Sequence, residues 1–266
     1  MPRVSALYRH PVKGFTPEET RELTVQADGR VAGDRVLAFR FSDAAVPEDR
    51  DGLDHWPKSK GLSLMDFPSL ARLKLDYDHD ARRLRLSLDG AVVIEAGLDA
   101  AGRDELVAHV TEFLRGTTDG RRLERAGRLP LALVGDGERS RFQDRARGFV
   151  SLHASASVAA VDDAVPDGRI DDRRFRSNVV VDGVAAWAEL GWRGRVRVGD
   201  VVFLVRGPIG RCLAVQANPD SGQRDAPVLK TLTRVFAQDE PTLGILLLPS
   251  GGGGRIRVGD EVEIVG

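Results

Sequence analysis

The sequence predicts a mainly β protein of the α+β class, with a few short helices between many strands. Glycine (29 residues) and proline (13 residues) are spread between short apolar segments, a pattern typical of strands joined by turns. The segment Leu84–Leu88 alternates apolar and polar side chains, and Asp89-Gly90 separates it from the apolar run Ala91–Ile94. An Asp-Gly pair between two such runs predicts a β-hairpin. At 266 residues the chain is long enough for one large or two modest domains.

The first half of the chain contains three further short apolar segments that predict strands: Val4–Tyr8, Leu23–Gln26 and Arg35–Phe41. A helix is predicted over Arg103–Arg115, because its apolar residues fall on one stripe and Gly116 follows as a stop signal. The polar, arginine-rich stretch Thr117–Arg128 comes next. We place a domain boundary there, which divides the chain into domains 1–116 and 117–266.

The second half opens with the predicted strand Leu131–Val134 and later contains the buried-strand pattern Asn178–Val181. Between them a short helix is predicted to begin at Ser155 or Ser157, either of which is a suitable N-cap. Two similar octapeptides, Arg195–Val202 and Arg255–Val262, each consist of two β segments joined by Gly-Asp. Turns of this kind are common at barrel corners, and two copies do not make a solenoid.

Composition excludes several classes of function. The formal net charge is −1, so no overall field attracts the protein to nucleic acid or to a membrane surface. The longest apolar runs are the length of strands, and the first residues lack a signal-peptide pattern. One cysteine in the chain excludes an internal disulfide and fits a reducing compartment. We therefore expect a cytoplasmic protein with no membrane segment and no nucleic-acid partner.

Cys212, the single cysteine, is the residue with the most chemical information. It is either an inert, buried small hydrophobe or a thiolate with a function. The neighbouring Arg211 favours the thiolate, because a nearby cation lowers the pKa of a thiol. Pro208 and Gly210 are expected to break the preceding strand, which would place Cys212 in a loop at its end.

Other chemistries lack a motif. No pair of the five histidines has metal-ligand spacing such as His-Glu-x-x-His, and one cysteine does not make a structural zinc site. There is no Gly-x-Ser-x-Gly elbow and no Gly-x-Gly-x-x-Gly fingerprint. A cysteine protease with His153 as base is conceivable, but nothing in the sequence ties His153 to Cys212. Trp56, Trp187 and Trp192 are expected to pack in the core, since no basic stripe accompanies them.

Four segments together resemble MOSC-domain proteins that carry the matching N-terminal β-barrel domain, the group that includes bacterial and mitochondrial amidoxime-reducing proteins. Arg211-Cys212-Leu213, followed by Asn218-Pro219-Asp220-Ser221-Gly222, is the most specific of them. The others are Tyr8–Gly14, Gly33-Asp34-Arg35 and Phe175-Arg176-Ser177-Asn178. They span nearly the whole chain. Three positions depart from the family pattern: Gly14 stands where relatives often have serine, Ser177 where they have proline, and Asn218 where they have aspartate.

The resemblance implies an N-terminal β-barrel-like domain, a MOSC β-barrel domain and a molybdenum cofactor of the molybdopterin type. Cys212 would be the molybdenum ligand and the catalytic residue, since a soft thiolate suits this metal. The residues implied in binding the cofactor's phosphate and pterin are Lys13, Arg35, Ser155, Ser157, Arg176, Asn178 and Arg211. Each has a simpler interpretation: the two serines, for example, are equally suited to be plain helix caps.

The activity implied is a molybdenum-dependent oxidoreductase that reduces N-hydroxylated small molecules. An external electron-transfer protein would be its partner, because the chain has no flavin, haem or iron–sulfur motif. An alternative is a carrier of molybdenum cofactor or of sulfur, with Cys212 holding a persulfide. A third is a MOSC-shaped module without cofactor. The sequence does not fix the natural substrate, the electron donor or the oligomeric state.

Overall fold

Strands account for most of the regular structure in the computed structural model, which describes residues 1–44, 56–145, 148–165 and 170–265. In chain order the strands are β1 (Arg3–Arg9), β2 (Glu18–Thr20), β3 (Glu22–Val25), β4 (Ala38–Arg40), β5 (Lys74–Asp78), β6 (Arg83–Leu88), β7 (Ala91–Gly97), β8 (Ala132–Val134), β9 (Val150–Ala154), β10 (Val179–Asp182), β11 (Arg195–Val198), β12 (Val201–Gly210), β13 (Thr242–Pro249), β14 (Gly254–Arg257) and β15 (Val262–Val265). The α-helices are α1 (Ala100–Arg115), α2 (Gly120–Leu123), α3 (Ser155–Ala164) and α4 (Val228–Arg234). The predicted class, mainly β with a few short helices, is confirmed.

The two halves of the chain share one large sheet. Its strand order is β15-β11-β12-β13-β9-β10-β1-β2, so β1 from the first half pairs with β10 from the second. The ladder is not closed between β15 and β2, but the sheet curls. Val4 N donates to Asp260 O (2.9 Å), and Gly259 N donates to Val4 O (2.8 Å). The fold is therefore barrel-like without being a fully hydrogen-bonded barrel.

The predicted hairpin forms as expected. Asp89 (φ 51°) and Gly90 (φ 84°) both adopt left-handed backbone conformations between β6 and β7, which a two-residue turn of this type requires. The predicted strand at Arg35–Phe41 is shorter than expected. Arg35 has φ 56° and so cannot continue a strand, and β4 covers only Ala38–Arg40.

Helix α1 follows the prediction closely. Asp99 caps it by accepting a hydrogen bond from Gly102 N (2.8 Å), and the buried stripe contains Leu106, Val110 and Leu114. Helix α3 begins at Ser155 as expected, but no side chain caps it; the residue at the N-cap position is Ala154. The hydroxyl groups of the two serines bind elsewhere, as described with the site.

The two Gly-Asp octapeptides have different outcomes in the sheet. In the first, β11 and β12 pair with each other as a hairpin. In the second, β14 pairs with β3 in a separate two-stranded ladder, while β15 pairs with β11. The same local sequence thus makes a simple turn in one place and a change of sheet in the other.

The expectation that Pro208 and Gly210 break the strand before Cys212 is wrong. Strand β12 runs from Val201 to Gly210, and its pairing with β13 shifts register between Val205 and Gly207 and again between Pro208 and Gly210. These irregularities accommodate the donor that proline lacks. Cys212 still lies in a loop, because it follows the last residue of this strand by two positions.

The core contains the tryptophans as predicted. Trp56 and Trp192 are buried, and the Trp187 ring packs against Phe236 with 4.7 Å between centroids. Within the described ranges, no helix is long and apolar enough to cross a membrane.

Candidate functional site

Cys212 lines a cleft of about 580 Å³ between the two halves of the chain. Its cationic lining consists of Lys13, Arg35, Lys58, Arg145, Arg174, Arg176 and Arg211. Asp144 is the carboxylate among the lining residues. An apolar part, which includes Leu64, Met65 and Phe149, completes the surface. The cleft therefore combines one sulfur, an excess of positive charge and an apolar wall.

The Cys212 thiol receives a hydrogen bond from Lys58, whose Nζ lies 3.1 Å from Sγ. Lys58 begins a short 3-10 turn, Lys58–Lys60, and Asp144 Oδ2 lies 3.7 Å from its ammonium. Burial disfavours the charged form of Lys58, but Asp144 and Cys212 outweigh this and raise its pKa above the ordinary value. Lys58 is therefore a cation held against a half-buried sulfur.

Arg211, the neighbour of Cys212 in sequence, directs its hydrogen bonds away from the thiol. Its Nε donates to Leu243 O (2.8 Å), Nη1 donates to Phe175 O (2.7 Å), and Nη2 also donates to Leu243 O. The guanidinium lies over the Phe175 ring, 5.5 Å from its centroid. Burial lowers its pKa to about 9. Arg211 thus fixes the Cys212 loop against neighbouring backbone, while Lys58 contacts the sulfur.

Lys13 lies at the base of the cleft and is 6% exposed. Its Nζ donates to Trp56 O (2.7 Å), Phe142 O (2.7 Å) and Asp144 Oδ1 (2.5 Å). Burial lowers its pKa to about 8, although Asp144 opposes the shift. Lys13 lines the cleft, with its donors directed into the protein.

Arg35 and Asn178 belong to one buried polar network around Asp34. Asp34 pairs with Arg35 and accepts hydrogen bonds from His10 N (2.7 Å) and Asn178 Nδ2 (3.3 Å). Asn178 also accepts a hydrogen bond from Ser151 Oγ (2.9 Å) and is fully buried. Arg35 lines the cleft, whereas Asn178 is not among the lining residues. Asn178 therefore acts on the cleft by holding the Asp34–Arg35 turn.

Arg176 also lines the cleft, at a left-handed backbone position (φ 53°) that ends a 3-10 turn, and its carbonyl oxygen lies 3.5 Å from Arg35 Nη2. Its Nη1 donates to Phe15 O, and its pKa is lowered to about 10 by burial and by the nearby Arg35. No carboxylate of the described chain forms an ion pair with Arg176 or with Arg211. The neighbouring Arg174, by contrast, pairs with Asp225 at 2.7 Å.

The structure does not place Ser155 and Ser157 at the cleft. Ser155 Oγ donates to Asp182 Oδ1 on β10. Ser157 is buried, donates to Glu189 Oε2 (2.9 Å) and accepts from Trp187 N (2.8 Å). Both hydroxyl groups are used in tying helix α3 to the adjacent backbone.

A serine that sequence reasoning did not select, Ser63, does line the cleft. Its hydroxyl is buried and has no hydrogen-bond partner among the described residues. Gly14, which stands where relatives often have serine, has φ 84°, and a Cβ there would lie 2.7 Å from Leu62 O. Ser63 therefore supplies a hydroxyl beside the position where Gly14 has none.

His153 and His10 are buried and are not among the residues that line the cleft. Burial, then the charge of Arg211, lowers the pKa of His153 to about 3. The pKa of His10 is also well below its ordinary value, because of burial and the charges of Arg176 and Arg35. The Cys–His interpretation has no geometric support, since the recorded partner of Cys212 Sγ is Lys58.

Lys58 and Asp144 are residues of the candidate site that the sequence-based prediction did not select. Neither belongs to a local motif, and 154 positions separate Lys58 from Cys212. One signal was available: lysine is rare, with five in a chain that has 39 lysines and arginines together, so each lysine was a candidate for a specific role.

Comparisons with known proteins identify two domains in the chain. A family model described as the MOSC domain matches residues 140–263, and one described as the MOSC N-terminal beta barrel domain matches residues 1–124. A molybdenum cofactor sulfurase of Drosophila grimshawi is 42% identical over 62 residues, which cover 23% of this chain and 8% of that protein. Molybdenum cofactor sulfurase 2 of Culex quinquefasciatus is 36% identical over 92 residues, 30% of this chain and 12% of that protein.

The match thus spans only 8% to 12% of the length of these relatives. Among solved structures, the YUAD protein from Bacillus subtilis aligns with a TM-score of 0.45 and 12% identity, over 98% of this chain and 94% of that one.

Proposed function

Since the chain belongs to the MOSC-domain proteins, with a MOSC N-terminal beta barrel domain ahead of the MOSC domain, we propose that the cleft binds a molybdenum cofactor through Cys212. We further propose that the protein is an oxidoreductase that reduces N-hydroxylated small molecules. Its electrons would come from an external electron-transfer protein. A cytoplasmic location is part of the proposal, because a thiol that serves as a ligand has to stay reduced.

One observation carries the binding proposal: the lone sulfur shares its cleft with two guanidinium groups whose acceptors, among the described residues, are backbone carbonyls. Arg176 and Arg211 donate to carbonyl oxygens, which satisfy N–H groups but do not neutralise the charge. A guanidinium that lines a cleft and forms no ion pair with a described carboxylate is only partly compensated, so an anionic ligand in the cleft would be stabilised. The buried Ser63 hydroxyl adds a polar group without a partner among the described residues.

The donor set fits the proposed cofactor. A cysteine thiolate is the soft ligand that suits a thiophilic metal, and arginine's planar fork suits a phosphate. In this proposal Arg176 and Arg35 bind the phosphate, and Lys58 balances the charge of the thiolate. A volume of about 580 Å³ lies within the usual range for cofactor pockets.

When bound, the cofactor would supply two-electron chemistry at the N–O bond: the hydroxylamine group takes up two electrons and two protons and leaves as an amine and water. The chain's own residues supply position and environment. Lys58 keeps the Cys212 sulfur turned into the cleft. The apolar side chains Leu64, Met65 and Phe149 offer a surface for the carbon skeleton of a substrate and keep water from it.

A carrier of cofactor or sulfur is the second candidate, with a persulfide on Cys212. The observation that favours it is the ammonium of Lys58 at 3.1 Å from Sγ, since a cation there would stabilise the negative charge of a persulfide. The names of the matched relatives, molybdenum cofactor sulfurases, point the same way.

Molybdenum analysis tests the binding proposal. Protein purified from a cofactor-producing host should contain molybdenum in proportion to chain, and Cys212→Ser should retain at least about tenfold less. Ser155→Ala is the matched control, because its hydroxyl lies away from the cleft, and it should keep full occupancy. Equal occupancy in the Cys212→Ser protein would show that the sulfur is not a ligand.

Turnover and persulfide labelling separate the two candidates. The oxidoreductase should convert benzamidoxime to benzamidine with a chemical reductant. A carrier should instead show a persulfide at Cys212 by mass spectrometry and no turnover when it contains molybdenum.

A further inference from the structure

The three N–H groups of Lys13 are all occupied within the protein. An ammonium has three donors and no acceptor, and Lys13 uses them on Trp56 O, Phe142 O and Asp144 Oδ1. The side chain is 7% exposed, and its charge is offset by the Asp144 carboxylate. Lys13 therefore has neither a free donor nor an uncompensated charge to offer to a ligand in the cleft.

The acceptors of Lys13 lie close in sequence to the residues that face Cys212. Trp56 is two positions before Lys58, and Phe142 is two positions before Asp144. Lys13 thus joins two segments far apart in the chain at the points from which Lys58 and Asp144 project. This arrangement is that of an anchor, because each hydrogen bond fixes backbone and not a bound molecule.

Lys58 has the opposite arrangement. Its side chain is 32% exposed, and its recorded contacts are Cys212 Sγ at 3.1 Å and the Asp144 carboxylate at 3.7 Å. The second distance is longer than a hydrogen bond, so Lys58 keeps donors that are available to the cleft. Its ammonium is also the cation in direct contact with the sulfur.

We propose that Lys58, and not Lys13, is the lysine that faces whatever is held at Cys212, and that Lys13 is a structural anchor for the segments carrying Lys58 and Asp144. The identity of the bound molecule rests on the proposed function. The different roles of the two lysines are inferred from their contacts alone. Lys58 is a positioning residue for the sulfur and for negative charge next to it.

The test measures the charge at the sulfur in protein without cofactor. Iodoacetate and iodoacetamide alkylate the same thiolate, but only iodoacetate is an anion. The rate constant for iodoacetate divided by that for iodoacetamide therefore reports the local charge. The fraction of thiolate affects both rate constants equally and cancels. Because Cys212 is the single cysteine, every alkylation event reports on it. The ratio should fall about fivefold in Lys58→Met, the factor expected for two unit charges about 4 Å apart in water.

Lys58→Arg is the conservative control and should keep most of the ratio, because it keeps the cation. Lys13→Met should leave the ratio within about twofold of the wild type, as expected for a lysine already paired with a carboxylate. It should instead lower the melting temperature by about 5 °C or more, since two buried carbonyl groups lose their donor. Lys58→Met should change the melting temperature by less than about 2 °C.

An unchanged ratio in Lys58→Met would overturn the role of Lys58, and a Lys13→Met protein as stable as the wild type would overturn the anchor. If Lys13→Met fails to fold, the anchor is supported and the Lys58 variants decide the remainder. These measurements need no molybdenum. A protein that never binds the cofactor would thus refute the proposed function while leaving the ratio to decide between the lysines.

Discussion

The cleft has two walls, whose cationic side chains differ in their hydrogen-bond and ion-pair partners. On one, which we call the paired wall, Lys13 and Lys58 share Asp144, and Arg35 pairs with Asp34. On the other, the carbonyl wall, Arg176 and Arg211 donate to backbone oxygens of Phe15, Leu243 and Phe175. Both walls satisfy hydrogen bonds, but only the paired wall forms ion pairs with carboxylates of the described residues.

This difference in partners predicts which residues contribute to folding stability and which contribute to ligand binding. Ion pairs with buried members, as on the paired wall, are complete without a ligand, and breaking one leaves a buried charge unpaired. Guanidinium groups satisfied by carbonyls are held in place at an electrostatic cost, which an incoming anion relieves. We therefore expect substitutions of the buried members of the paired wall, Lys13 and Asp34, to affect folding, and those on the carbonyl wall to affect what the cleft holds.

Replacing Asp34 is expected to have the largest effect on folding. Asp34 is 3% exposed and accepts from His10 N and Asn178 Nδ2 besides pairing with Arg35. Asp34→Ala should lower the free energy of unfolding by about 3–5 kcal/mol, measured by urea denaturation. Asp28→Ala removes an ion pair whose carboxylate is 41% exposed and should cost less than about 1 kcal/mol. If Asp34→Ala and Asp28→Ala lost similar unfolding free energies, the buried network would be no more stabilising than the surface ion pair, against this prediction.

Replacing Arg176 should change the unfolding free energy little and anion binding strongly. In ligand-free protein, Arg176→Met loses the hydrogen bond to Phe15 O but also removes an enclosed cation, so the free energy of unfolding should change by only about 1 kcal/mol. Inorganic phosphate should raise the melting temperature of the wild type, because binding to the native state alone stabilises it. This increase should be lost in Arg176→Met.

Arg3→Met is the matched control for the phosphate experiment. Arg3 is 56% exposed and pairs with Glu261 far from the cleft, so this variant should keep the response. Equal stabilisation of all three proteins by phosphate would mean that the anion acts on the general surface and not on the carbonyl wall.

A further prediction concerns pH and the turn Asp172–Phe175, which leads into the carbonyl wall at Arg176. Burial and the adjacent Asp171 raise the pKa of Asp172, which begins that turn, to about 6. Because the folded-state pKa lies above the unfolded value, the contribution of Asp172 to stability is complete below about pH 4 and is lost as pH rises through about 6. Relative to the wild type, Asp172→Asn should remove this decline.

Unfolding free energies measured by urea denaturation between pH 4 and 7 would detect the difference, which is at most about 1.4 kcal/mol per pH unit. Asp80→Asn, at an exposed position, controls for the change in net charge. A wild type and an Asp172→Asn protein with parallel pH profiles would refute the assignment.

Much of the fold and part of the site were predictable from local sequence. The β6–β7 hairpin follows from Asp89-Gly90, and helix α1 from its apolar stripe and glycine stop. Five of the eight predicted site residues line the cleft: Lys13, Arg35, Arg176, Arg211 and Cys212. The remaining three are Ser155, Ser157 and Asn178, whose side chains hold neighbouring backbone or buried partners in place.

By itself the sequence determined the class of fold and the family and selected Cys212 as the candidate ligand, because alternation, turn residues and the Arg-Cys-Leu motif are properties of neighbouring residues. Only the tertiary structure decided that Lys58 contacts the sulfur, that Arg211 does not, and that Lys13 is enclosed. It also decided that the second Gly-Asp octapeptide changes sheet while the first does not. The reason is physical: sheet topology brings together residues more than a hundred positions apart, and the competition of each side chain for donors and acceptors is settled only where those distant segments meet.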